Sequence, residues 1–209
     1  MLGTENLLLF VVSGLILNIT PGADILYILG RSSSQGFRGG SVAALGIGAG
    51  CIVHVIAATV GISAIIAASA TAFMVIKFIG AAYLVYIGIT MFRKNKADVN
   101  EVQAMPATKL STIFWQGFLT NSLNPKVALF FLAFLPQFIS PSAENKSIAL
   151  LFLGILFNIN GTLWNLFVAW ASSSVASQLR RSGVVTKWLN RTIGALFLYF
   201  GAKLAVSQS

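Results

Sequence analysis

NITPGAD, residues 18–24, interrupts an apolar run that extends from Leu7 to Leu29 and is long enough to cross a bilayer. Proline inside a helix removes a hydrogen bond and clashes with the carbonyl one turn back. In hydrocarbon the backbone groups so freed must be met by protein or by water in a cavity. An acid in such a span costs at least about 2.5–3.5 kcal/mol on insertion scales, so it usually faces a cavity or a partner. The stretch therefore reads as a membrane helix broken and charged beside a site, not as a simple span.

Composition points the same way. Of 209 residues, 56% are apolar and only 9% are charged, with a mean hydropathy of +0.84. Soluble domains carry about a quarter charged residues. A membrane span needs about 20 apolar residues, and six apolar stretches use most of this chain: Leu7–Leu29, Val42–Ala67, Phe73–Phe92, Ile113–Phe138, Ile148–Ala171 and Leu189–Ala205. The expected fold class is an all-α polytopic membrane protein of six transmembrane helices in a single domain over residues 1–209, with spans one and four broken at Pro21 and Pro125.

The formal charge of +9 does not call for a nucleic acid. Lys and Arg gather in the connections, where the positive-inside rule places them, and no nucleic-acid-binding motif is present. The first connection carries Arg31 and Arg38, the third Arg93, Lys94, Lys96 and Lys109, and the fifth Arg180, Arg181 and Lys187. The second has none, and the fourth has Lys146 beside Glu144. Connections one, three and five are therefore expected in the cytoplasm and both termini outside. The polar segment RKNKADVNEVQAMPATK, within a linker of about 93–112, is the expected point of first proteolysis. Cys51 is the only cysteine, which excludes an internal disulfide and a dithiol redox pair. No basic n-region or cleavage site accompanies the first span, so it is expected to stay in the mature protein.

The two halves echo one another. GLILNITPGADILYIL from Gly14 matches GFLTNSLNPKVALFFL from Gly117, each with Gly, Asn four residues on, and then a proline. KFIGAAYLVYIG from Lys77 matches RTIGALFLYFG from Arg191. A unit of three spans repeated once places its second copy inverted in the bilayer, an arrangement in which transporter sites lie beside interrupted helices. Repeat one covers about 1–92 and repeat two about 113–209.

Polar residues collect at both breaks: Asn18, Thr20, Pro21, Gly22 and Asp24 at one, Asn121, Ser122, Asn124, Pro125 and Lys126 at the other. Asp24 and Lys126 suit a zwitterion, the acid meeting an ammonium and the base a carboxylate. They equally suit an ion pair with each other, and Asp24 is a candidate for proton exchange. Gly46, Gly50, His54, Ala57 and Gly61 share one helix face, whose small residues allow close approach. His54 on it reads as a helix-to-helix hydrogen bond or a proton relay. Asn158, Thr162 and Asn165, with Gly154 and Gly161 near them, form a polar face that lines a path or joins helices. Tyr27, Tyr83, Tyr86, Trp164 and Trp170 read as interface anchors or gates. A membrane enzyme finds little support: Ser63 lies nine residues from His54 with no third group. A metal exporter needs clustered His, Asp, Glu or Cys ligands, which one histidine and one clear intramembrane acid do not supply.

NITPGADILYILGRSSSQGFRGGSVAALGIGAG, KFIGAAYLVYIG and NPKVALFFLAFLPQF together resemble the LysE/RhtB family of bacterial amino-acid exporters over nearly the whole chain. The family's first-span motif is commonly Thr-Pro-Gly-Pro followed by an acid or amide; Thr20, Pro21, Gly22 and Asp24 match, and Ala23 replaces the second proline. Asn124, Pro125 and Lys126 match the fourth-span motif. The resemblance implies efflux of amino acids or derivatives, basic, neutral or branched, across the cytoplasmic (inner) membrane, driven by the proton gradient. It implies a small-molecule substrate, protons and the lipid bilayer as partners, with no cofactor, no metal and no enzymatic activity. A homodimer is compatible with it. Export of another small solute or a metal cation is the alternative.

Overall fold

The computed structural model describes residues 3–20, 22–62, 105–140 and 142–175, with single helical positions at 71, 74, 75, 78, 82, 85, 86, 89, 195, 198, 199 and 202. Among the described residues every regular element is a helix. In order these are α1 (Leu7–Ile19), α2 (Ala23–Ala57) continued by a π-helical turn (Ala58–Ile62), α3 (Leu110–Ser122), α4 (Pro125–Ala133) followed by a 3-10 turn (Leu135–Phe138), and α5 (Lys146–Val175). The expected third and sixth spans, and with them the match between Lys77 and Arg191, lie outside the described residues apart from those single positions. Pro21 lies outside them too.

Both expected breaks fall between helices. α1 stops at Ile19, Thr20 is extended, and α2 resumes at Ala23 behind Gly22. Ala23 is the first residue of its helix, the one position where proline is well tolerated. Alanine in place of the family's second proline therefore leaves the helix start where it is. At the second break Asn124 takes the extended conformation that a following proline demands, with ψ of 109°. Pro125 opens α4, and the Asn124 side chain caps it by accepting the Lys126 N–H at 3.0 Å. α3 and α4 meet at 47°.

The first connection differs from expectation. No loop separates spans one and two: α2 is interrupted only at Gln35 and Gly36, where Gly36 has φ of +61°, a conformation that favours glycine. The chain reverses there. Before the kink, Tyr27 reaches Ile113 and Arg31 reaches Pro106, so contacts move down α3 and past its start. After it, Gly46 lies against Phe114, Gly50 against Phe118, and His54 bonds Asn121, so they climb again. A straight helix of 39 residues would measure about 58 Å at 1.5 Å per residue, nearly twice a hydrocarbon core. The reversal removes that mismatch. α3 likewise starts at Leu110, inside the expected linker, and residues 105–109 are held against α2.

By length and composition alone, and counted through its kink, α2 with its π turn (Ala23–Gly61) meets the requirement for a span, as does α5 (Lys146–Ser173), and α3 with α4 is a third candidate if the bent pair counts as one. The outer surface fits a bilayer. Ile148, Leu151, Ile155, Ile159, Leu163, Phe167 and Trp170 form an exposed stripe on α5 at spacings of three or four, more apolar surface than a soluble monomer tolerates. Polar Asn158 and Asn165 turn away from that stripe.

Inside, Phe10, Phe130, Phe131, Phe134, Phe138 and Phe157 interlock α1, α4 and α5, with ring centroids 4.8–6.2 Å apart. The carboxyl-terminal arm of α2 packs on α3 through glycines. A Cβ at Gly46 would strike the Phe114 carbonyl and one at Gly50 the Phe118 carbonyl, so only glycine permits this approach. The chain's start is tied in as well: Glu5 N donates to Phe138 O at 2.8 Å and Ser140 N to Gly3 O at 2.9 Å.

Candidate functional site

The two breaks meet. Asp24, in the first turn of α2, lies opposite the end of α3 and the start of α4. Its Oδ2 accepts hydrogen bonds from Asn121 Nδ2 at 3.0 Å and Asn124 Nδ2 at 3.1 Å. Its Oδ1 is buried and has no partner. The N-terminal dipole of α2 adds a favourable field for the acid. Lys126, in the first turn of α4, reaches the other way. Its Nζ donates to Leu17 O and Thr20 O, both at 3.2 Å, at the end of α1.

Asp24 and Lys126, read from the sequence as suiting a zwitterion or an ion pair with each other, each bond to groups of the opposite break. Amides hold the acid, and backbone carbonyls hold the base. Each broken helix presents its own unmet ends to the other.

Between the breaks is a small cavity of about 20 Å³, room for roughly one water. Its polar lining comes from Asn18 of α1, Asp24 of α2, Asn121 of α3, Lys126 of α4, and Asn158, Thr162 and Asn165 of α5. Asn18 Nδ2 and Asn121 Oδ1, like Asp24 Oδ1, are buried without a partner. Its apolar lining includes Leu17, Ile47, Cys51, Val127 and Phe157, with Gly48 and Gly161. Three separate segments, α1, α2 and α3, therefore leave unmet donors or acceptors at a cavity that also has aliphatic and aromatic lining.

The remaining expected residues support this lining from outside it. Thr20 Oγ1 donates back to Ile16 O at 2.8 Å. Gly22 is close to Lys126, since a Cβ there would lie 3.2 Å from Nζ. Asn124 both caps α4 and grips Asp24. Pro125 starts α4 and does not face the cavity. His54 does not face it either. Its Nε2 lies 2.8 Å from Asn121 O, and because a carbonyl only accepts, that nitrogen carries a proton. Of the two sequence readings for His54, the helix-to-helix bond is the observed contact. Ser122 Oγ lies 3.4 Å from Gly50 O on the same interface, while Gly61, also expected on that face, has nothing within 4 Å of its would-be Cβ.

A second polar cluster was not legible. Arg31, read as a solvated loop charge, is only 6% exposed. Its Nη2 donates to Gln116 Oε1 at 2.7 Å and its Nη1 to Pro106 O at 3.0 Å. Tyr27 joins it, with its ring centroid 5.4 Å from the guanidinium and its hydroxyl 2.9 Å from Ile113 O. Gln35 and Thr108 exchange two bonds, at 2.9 and 3.0 Å. The available signal was that Arg31 follows Asp24 by two helical turns, on the same face. The apolar lining gave no signal at all, since Leu17 or Phe157 looks like any other residue in an apolar chain. Of the aromatic anchors, Trp170 and Tyr86 are exposed, and Tyr83 lies outside the described residues.

The chain is similar to known proteins over nearly its whole length. The family model described as LysE type translocator matches residues 15–208. The chain is 29% identical over 203 residues to the leucine efflux protein of Enterobacter sp. (strain 638), covering 97% of this chain and 96% of the relative. It is 26% identical over 207 residues to the leucine efflux protein of Salmonella typhimurium, covering 99% and 98%. It is 29% identical over 211 residues to the uncharacterized membrane protein YrhP of Bacillus subtilis, covering 97% and 100%. No solved structure matches.

Proposed function

The chain belongs to the LysE type translocator family, and on that footing we propose that it is a secondary exporter of amino acids or close derivatives across the bacterial inner membrane, driven by the proton gradient. The observation that carries the proposal is the cavity where the two breaks meet, lined by both polar and apolar side chains. Its unmet Asp24 Oδ1 and Asn121 Oδ1 suit a substrate ammonium, and the Asn18 amide suits a carboxylate, with Lys126 adding positive charge to the lining. Leu17, Ile47, Val127 and Phe157 suit an aliphatic side chain, in keeping with relatives named for leucine efflux.

The breaks also support an inverted repeat within one six-helix domain. α1 and α3 each have 13 residues and end in a break. Asp24 and Lys126 each occupy the second position of the helix that follows. Asn18 and Asn121, equivalent in the repeat, both point unmet atoms at the cavity. We place the halves at about 1–92 and 113–209, the linker in the cytoplasm and both termini outside. A water-sized cavity admits no amino acid, so the broken helices must part to load one, as alternating access requires.

The test is release of a preloaded, unlabelled amino-acid panel from cells expressing the chain, followed by mass spectrometry. Faster loss of neutral aliphatic amino acids, abolished by a protonophore, is the expected result. No change for any amino acid, with insertion verified, would move the reading to another small solute. Loss that survives the protonophore would remove proton coupling.

A further inference from the structure

α1 ends inside the protein without meeting its own carbonyls. The last four C=O groups of a helix lack intrahelical partners, and the C-terminus carries about half a negative charge. Ile16 O is served by Thr20. Leu17 O and Thr20 O are served by Lys126 Nζ, whose residue is 109 and 106 positions away in sequence. Gly22 keeps the space clear for that ammonium. Asp24 Oδ1, only 9% of its residue exposed and without a partner, lines the same cavity as Lys126. Backbone carbonyls at a helix break, a half-helix C-terminus and a nearby carboxylate form an oxygen donor set of the kind that holds a monovalent cation in interrupted transporter helices.

We propose that the α1 break is a monovalent-cation site that this chain fills with its own tethered cation, the ammonium of Lys126. An ammonium is a compact charge with three donors, and it meets the two carbonyls without an ion from solution. Lys126 is then a positioning residue that holds the broken α1 against α4, and its contact with substrate is not its first role. Shortening the side chain vacates a site for a small free cation.

The test needs no substrate, so its outcome is separate from that of the export reading. The purified full chain is melted at equal pH and ionic strength in choline chloride, sodium chloride and methylammonium chloride. The native chain is expected to melt at one temperature in all three. Lys126→Ala is expected to melt several degrees lower in choline and to regain at least half of that loss in methylammonium or sodium. Recovery in methylammonium alone assigns the site to hydrogen bonding, and recovery in both assigns it to charge; either supports the proposal. Indifference of Lys126→Ala to every cation overturns it, as does sodium stabilisation of the native chain. Should the alanine variant not accumulate, Lys126→Gln is read by the same two outcomes.

Discussion

Asp24 and Arg31 lie on the same arm of α2, two turns apart and both nearly buried, yet the protein treats them oppositely. Asp24 has one oxygen held by two amides and the other left unmet beside a cavity. Arg31 has both terminal nitrogens committed, one to Gln116 and one to the backbone of Pro106, with Tyr27 against its face. A buried charge is costly unless its partners are well placed. Arg31 also keeps one buried unmet atom, its Nε, but it does not line that cavity, and its two terminal bonds clasp residues 105–109 to α2. The unmet oxygen at the cavity leaves Asp24 able to accept a ligand. The difference separates a point of exchange from a point of closure on one helix.

The largest expected effect breaks that comparison at its centre. Asp24→Asn keeps size and one acceptor oxygen for Asn121 and Asn124 but removes the charge, and export should fall to background while membrane insertion is unchanged. Full export by this variant, measured by release of the preloaded panel, would put the exchange point elsewhere. Arg31→Gln should act on stability instead. Hydrogen bonds to charged groups contribute about 1.5–3 kcal/mol each, so its melting temperature should drop clearly, and limited trypsinolysis should accelerate at Lys109. Loss of export at unchanged stability would erase the distinction between the two residues.

Smaller effects sharpen it. Asn124→Ala removes the cap of α4, worth about 1 kcal/mol, together with one of the two donors to Asp24. Asn124→Asp restores the cap but sets a second acid against Asp24. Stability should return in the aspartate variant and export should not, which thermal melts and efflux rates can read on the same samples. The smallest change is expected at His54. His54→Gln keeps a donor for the Asn121 carbonyl, so stability and the pH profile of export should both stay close to native. A shifted profile would restore a proton-relay role.

Much of the fold was legible because hydrocarbon makes local chemistry expensive. Prolines and polar residues at 18–24 and 121–126 marked the breaks, and both breaks fall there, between Ile19 and Ala23 and between Ser122 and Pro125. The turn between the first two spans was misread for an equally physical reason. Ser32, Ser33, Ser34, Gln35 and Arg31 look like a solvated loop, but Ser34 bonds back to a helix carbonyl, Arg31 and Gln35 reach across to the linker, and Ser32 is buried. Polarity alone does not distinguish a residue facing water from one facing another polar segment.

By itself, then, the sequence determined the family through its motifs, and the membrane class and the places where helices break through the cost of a residue type in hydrocarbon. Only the tertiary structure decided which partner each charge takes. Asp24 went to Asn121 and Asn124, and Lys126 to the carbonyls of α1, because partner choice depends on distances between segments about a hundred residues apart. Desolvation can be judged one residue at a time; coordination cannot.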